Sequence, residues 1–134
     1  MNLLFCFLVL ISCQKQGSGT IDSALTGKWK WLKTSYSGRG VGNYFISPIT
    51  NNSNHKIVFD KNMISVFKND SIVYTSTYTI QEPSLSEKKL FFSKEIGTWD
   101  YLISNSFYKI FSDTLIIQGG ADDRLGNSLF VKIK

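Results

Sequence analysis

The chain is expected to be an all-β domain: an antiparallel up-and-down meander of about eight strands that closes into a small barrel. Three observations carry this expectation. Apolar residues recur mainly with period two rather than 3.6, as half-buried strands require. The breaks between these runs are short and polar (Asp60 to Asn62, Lys68 to Asp70, Ser112 with Asp113), and their Asn and Asp tolerate left-handed backbone, so sequence neighbours pair as hairpins. A meander of about eight strands removes its exposed edges most simply by closing on itself.

Taken in order, Ile21 to Leu25 reads as a brief helical turn with Asp22 or Ser23 as its cap. Strands follow from Gly27 to Ser35, Lys56 to Asp60, Met63 to Lys68, Ser71 to Ile80, Lys88 to Ser93, Ser106 to Phe111, Thr114 to Gln118 and Ser128 to Ile133. In the run from Ser71, the face made by Ile72, Tyr74, Ser76, Tyr78 and Ile80 is the expected inward one, because Val73, Thr75, Thr77 and Thr79 hold the other. Leu129, Val131 and Ile133 alternate in the same way with Ser128, Phe130 and Lys132. Two connections are longer. Tyr36 to His55, with Gly38, Gly40, Gly42, Pro48 and the polar run Asn51 to Asn54, reads as an irregular flap. Gln118 to Asn127, with Gly119, Gly120 and Gly126, reads as a loose hairpin tip.

Ahead of the domain, Leu3 to Ile11 is an unbroken apolar stretch of nine residues. That length suits the core of a secretory signal and falls well short of the ~20 residues a spanning helix needs. It ends in Leu10, Ile11, Ser12 and Cys13, and this LISC tetrapeptide resembles a bacterial lipobox. The resemblance implies that residues 1–12 are removed and that Cys13 carries acyl chains, palmitate among them, which hold the protein in a membrane. Residues 13–24 then form the lipidated Cys and a flexible tether, and residues 25–134 the barrel. Two or three acyl chains anchor stably where a single one is marginal, at about 0.8 kcal/mol per buried methylene. With Cys6 in the removed segment, the mature domain has no disulfide and no free thiol.

The first strand opens with Gly27, Lys28 and Trp29, a G-x-W that is similar to the signature of lipocalins. Together with the lipobox, the chain resembles the lipocalin-like lipoproteins of Bacteroidetes-type bacteria. The resemblance implies that Trp29 packs across a closed barrel base with a basic residue from the last strand stacked on it, Lys132 or Arg124, a contact of about 0.5 to 2 kcal/mol. Trp29 and Trp31 are equally accounted for as aromatic core on one strand face. Strands of five to ten residues and a high aromatic load also allow a barrel filled by its own side chains.

The net charge of +5 is spread over scattered lysines, which reads as a solvated surface rather than a polyanion site, and no nucleic-acid partner is expected. His55, the sole histidine, sits in a polar loop start, so a catalytic triad has nothing else to rest on and no enzyme is expected. No His or Cys pair has zinc spacing, and Asp122 with Asp123 lacks the alternating oxygens of a calcium loop. No metal and no cofactor are expected. The glycines around Arg39 are not followed by a helical pattern, which removes a phosphate cradle. The candidate ligand contacts are instead Trp31, Tyr74 and Tyr78 from pleat parity, Arg39, Tyr44 and Phe45 from the flap, and Trp99, an aromatic at the barrel rim able to stack on a sugar or lipid. The expected function is non-catalytic binding of a small hydrophobic ligand in the cell envelope, most simply at the outer membrane. The alternative is a solid barrel that meets an envelope protein or glycan.

Overall fold

The computed structural model describes residues 21–38, 41–94, 106–119 and 124–134. Nine strands and one short helix follow in chain order: β1 (Gly27–Gly38), β2 (Val41–Ile46), α1 (Pro48–Asn51), β3 (His55–Asp60), β4 (Met63–Lys68), β5 (Ser71–Ser84), β6 (Glu87–Phe92), β7 (Ser106–Phe111), β8 (Thr114–Gly119) and β9 (Arg124–Ile133). Every pairing is antiparallel, and β9 returns to β1 from Lys28↔Ile133 to Gly38↔Arg124. Eight strands thus close into a barrel, as the hairpin turns imply.

The turns are the expected polar ones. Asn69 and Asp70 both take left-handed backbone, and so do Lys61 and Ser112. Two successive left-handed residues give the hairpin turn whose twist matches its flanking strands.

The ninth strand corrects the flap expected from Tyr36 to His55. β1 runs on to Gly38 and turns back into β2, with Tyr36 opposite Tyr44. β9 occupies one edge of β1, while β3 takes the lower half of the other edge (Gly27 to Lys30) and β2 the upper half (Thr34 to Gly38). The gap between β2 and β3 is bridged by α1, whose N-cap Ser47 and Thr50 form a capping box with Pro48 in the first turn.

Two bulges override simple parity. The ladder between β1 and β9 slips between Trp31 and Lys33, so Trp29 and Trp31 point inward below it and Thr34 and Tyr36 above it. The ladder between β4 and β5 slips at Val66/Phe67, which turns Ile72 outward, 61% exposed, against the expectation that it faces in. On β9 the inward residues are Ser128 and Phe130, and the apolar Leu129, Val131 and Ile133 lie on the outer, half-covered face. The core is one cluster that includes Trp29, Trp31, Ile57, Phe59, Ile64, Leu90, Leu115, Ile117 and Phe130, all essentially without exposed surface. Among the described residues the lower barrel is therefore filled by its own side chains.

Candidate functional site

The two ends of the barrel differ in chemistry. At the lower end, where β1 begins and β9 finishes, the turn before β1 folds under the barrel as a plug. Leu25 is fully buried, and its carbonyl accepts a hydrogen bond from Trp29 Nε1 at 2.8 Å. Lys132 Nζ lies 5.0 Å from the Trp29 ring centroid and reaches the Ala24 carbonyl at 3.3 Å. Of the two basic candidates, Lys132 thus makes the stack, and the Arg124 side chain lies outside the described residues. Gly27 has φ +131°, and a Cβ there would sit 3.1 Å from Lys132 Cε. Glycine two residues before Trp29 therefore leaves the passage through which the Lys132 stem reaches the indole.

Asp22 locks this plug. Its Oδ2 accepts from Lys88 Nζ at 2.7 Å and from the Tyr108 hydroxyl at 2.8 Å, and its Oδ1 accepts from the Ala24 amide at 3.0 Å. Burial alone would raise the Asp22 pKa, but the hydrogen bonds from Lys88, Tyr108 and Ala24 outweigh it and hold the carboxyl below its ordinary 3.8. Burial first, and the bond to Asp22 second, push the Tyr108 hydroxyl far above its ordinary value. The Tyr78 hydroxyl closes the same end by donating to the Lys61 carbonyl at 2.8 Å.

Asp22→Ala leaves the buried Tyr108 hydroxyl without this acceptor and is expected to cost about 2 to 3 kcal/mol, read as a lower urea midpoint. Because the folded carboxyl titrates below 3.8, its contribution is complete above that value. It is lost as pH falls through the lower folded pKa.

Five inward positions in the upper half are polar, with the aromatic rings of Tyr36 and Tyr74 lying beyond them on β1 and β5. On five strands, the inward residue next above a large apolar or aromatic one is Thr34 (above Trp31), His55 (above Ile57), Ser76 (above Tyr78), Ser106 (above Tyr108) and Ser128 (above Phe130). All five are at most 5% exposed. The Thr34 hydroxyl accepts from Trp31 Nε1 at 3.0 Å and shares a 2.8 Å bond with Ser128 Oγ. Ser76 Oγ contacts Ser93 Oγ at 3.0 Å and accepts from the Lys94 amide at 3.1 Å. His55, which pairs with Lys68 across the β3–β4 hairpin, has a buried side chain: its ring centroid lies 5.1 Å from that of Trp31, with Nε2 3.2 Å from Ser53 Oγ. Burial, and secondarily the Lys68 charge, lower its pKa to about 4, so it is neutral at pH 7.

Of the ligand contacts read from sequence, Trp31 and Tyr78 are buried in the core. Tyr74 is half-buried, its hydroxyl donating to the Lys94 carbonyl. Tyr44 and Phe45 stand exposed on β2, where Tyr44 stacks on Tyr36 at 4.9 Å. They border a groove of about 320 Å³ with Ser35, Ser37, Asn43 and Asn127. Cys13, Arg39, Trp99, Asp122 and Asp123 lie outside the described residues. The structure therefore places Trp31, Tyr74 and Tyr78 in or against the core from β1 and β5, Tyr44 beside Tyr36 at the rim, and Phe45 exposed on β2.

Sequence reading missed the polar collar and the Asp22 latch. Ser76 fell on its expected inward face, whereas the bulge before Thr34 and the apolar outer face of β9 hid Thr34 and Ser128. Compared with protein-family models, curated proteins and solved structures, the chain matches none of them.

Proposed function

We propose that this chain is a lipid-anchored, lipocalin-like lipoprotein of the cell envelope, held at the outer membrane through Cys13, whose barrel binds a small amphipathic molecule without catalysis. The observation that carries this reading is the asymmetry of the barrel interior. The lower end is plugged by Leu25 and sealed by Trp29, Lys132 and Asp22, while the interior of the upper half is lined on five strands by buried small or neutral polar side chains next to apolar ones. An apolar ligand moiety gains about 25 cal/mol per Å² of surface buried on such a floor, and hydroxyls around it fix a polar head. G-x-W with Lys132 on the indole, and LISC at Cys13, support the lipocalin-like and lipoprotein parts. The neutral, Trp-stacked His55 is suited to packing rather than to proton transfer at neutral pH.

Native mass spectrometry of the full chain, purified in detergent from the membranes of its own host, tests both parts together. The expected spectrum carries a covalent acyl increment on Cys13 and a discrete second adduct that leaves on mild activation. An acylated chain without adduct would sink the ligand role for the lipids sampled, and a chain without the acyl increment would sink the anchor.

The second reading is a solid barrel that meets a glycan or envelope protein. It rests on the exposed Tyr44 and Phe45 beside the groove on β2, since aromatic faces stack on sugar rings.

A further inference from the structure

The lower end carries more than a plug. A cleft of about 640 Å³ opens between the tips of the β5–β6 and β7–β8 hairpins, lined by Asp22, Leu85, Lys88, Lys109, Ile110 and Phe111 among others. Leu85 is fully exposed and Phe111 is 60% exposed, each at the tip of a hairpin, and Ile21, the chain neighbour of the cleft-lining Asp22, is 58% exposed. Large apolar side chains at protruding tips lower solubility with no return to the core. The chain that leads to Cys13 leaves from this same end: Ile21 directly precedes Asp22, eight residues after Cys13. Eight residues reach about 28 Å when fully extended, roughly the height of a barrel with tilted strands of ten to twelve residues. Tyr44, Phe45, Ile49, Ile72 and Val73 are also exposed, but at the opposite end, which reaches the anchoring membrane only if the tether runs fully extended along the whole height of the barrel.

We propose that the closed base of the barrel rests on the bilayer, with Leu85 and Phe111 entering the boundary between headgroups and acyl chains and Lys109 facing lipid phosphates. This rests on the acylation of Cys13 proposed above. The polar collar then lies at the end away from the anchoring membrane, so a ligand bound there would enter or leave on the aqueous side.

The test uses the full, acylated chain in vesicles of phosphatidylethanolamine and phosphatidylglycerol. Leu85→Cys, Phe111→Cys and, at the far end, Ile49→Cys are each spin-labelled; removal of Cys6 and acylation of Cys13 leave no other thiol. The expected result is a several-fold higher ratio of oxygen to nickel-chelate accessibility at 85 and 111 than at 49, the pattern of side chains buried at an interface. Equal ratios at all three sites overturn the proposal. The intact mass of the same sample reports acylation separately. Where the acyl increment is missing, the labels are read in a Cys6→Ser, Cys13→Ser chain added to the same vesicles. Oxygen-rich labels at 85 and 111 then sustain the docking face without the anchor, and water-exposed labels overturn it.

Discussion

Trp29→Ala is expected to lower stability by about 3 to 5 kcal/mol, the range for truncating a fully buried Trp or Phe, which would make it among the most damaging single changes in the barrel. The indole has no exposed surface, donates to the Leu25 carbonyl at 2.8 Å and carries Lys132 on its face. Its removal opens a cavity, strips the plug of its main hydrogen bond and leaves Lys132 over a void. Thermal unfolding followed by the β-sheet signal should fall by roughly 15 °C or more for a domain of this size. Lys132→Met removes only the cation and should cost about 0.5 to 2 kcal/mol. A double-mutant cycle separates the stack from the cavity, because the Lys132 effect should largely disappear in the Trp29→Ala background. If Trp29→Ala unfolds within 1 kcal/mol of the parent chain, the base is not held as described.

The ease with which the sequence discloses this fold varies with the length and redundancy of each local signal. β4 has the expected limits because short polar turns bound it on both sides, and β7 because Ser112 and Asp113 close it and its alternation is clean. β2 and α1 are hidden for the opposite reason. β2 is six residues that include Gly42, flanked by Gly38 and Gly40, and α1 is a single turn, too short to show any 3.6-residue period. The one trace of α1 is the Ser47, Pro48, Thr50 spacing, a capping box with proline in the first turn, read as a loop because Asn51 to Asn54 follows it. Bulges erase parity altogether. Each adds one residue without a compositional mark, so Ile72 was expected inside, and Thr34 sits inside although Leu32 and Lys33 interrupt the count.

The site was less legible than the fold because it consists of small polar residues at inward positions. Alternation assigns polar residues to solvent, which is right in most strands of a half-buried sheet. Only the ladder shows that Thr34, Ser106 and Ser128 join Ser76 in facing the interior, each next above a large side chain on its own strand. Asp22 is hidden differently. Its partners Lys88 and Tyr108 are 66 and 86 residues away in the chain, a separation that no local pattern encodes.

Acidification should weaken the barrel between about pH 6.5 and 4 through His55. In the folded chain, burial and the nearby Lys68 charge lower its pKa to about 4, against 6.5 when exposed. Over that window the unfolded chain takes up the proton and the folded chain does not, so stability is fully present above about 6.5 and falls as pH drops towards 4. A gap of about 2.5 units corresponds to at most about 3 kcal/mol at the acid end, at 1.36 kcal/mol per pKa unit. Asp22 cannot produce the same loss, because its carboxyl titrates below 3.8. Urea unfolding at half-unit pH steps measures the effect, and His55→Gln, which keeps a hydrogen-bonding group near Ser53 but does not titrate, should flatten the profile between 6.5 and 4. A profile in His55→Gln as steep as in the parent chain would assign the acid sensitivity elsewhere. His55 is one of the five collar positions, stacked on Trp31, which in turn donates to the Thr34–Ser128 pair. Its protonation therefore places a charge at the upper, polar end of the interior and leaves the Asp22 latch at the base intact. Acid release of any ligand held at the collar should accordingly begin only as pH approaches 4, where the folded imidazole itself takes up the proton.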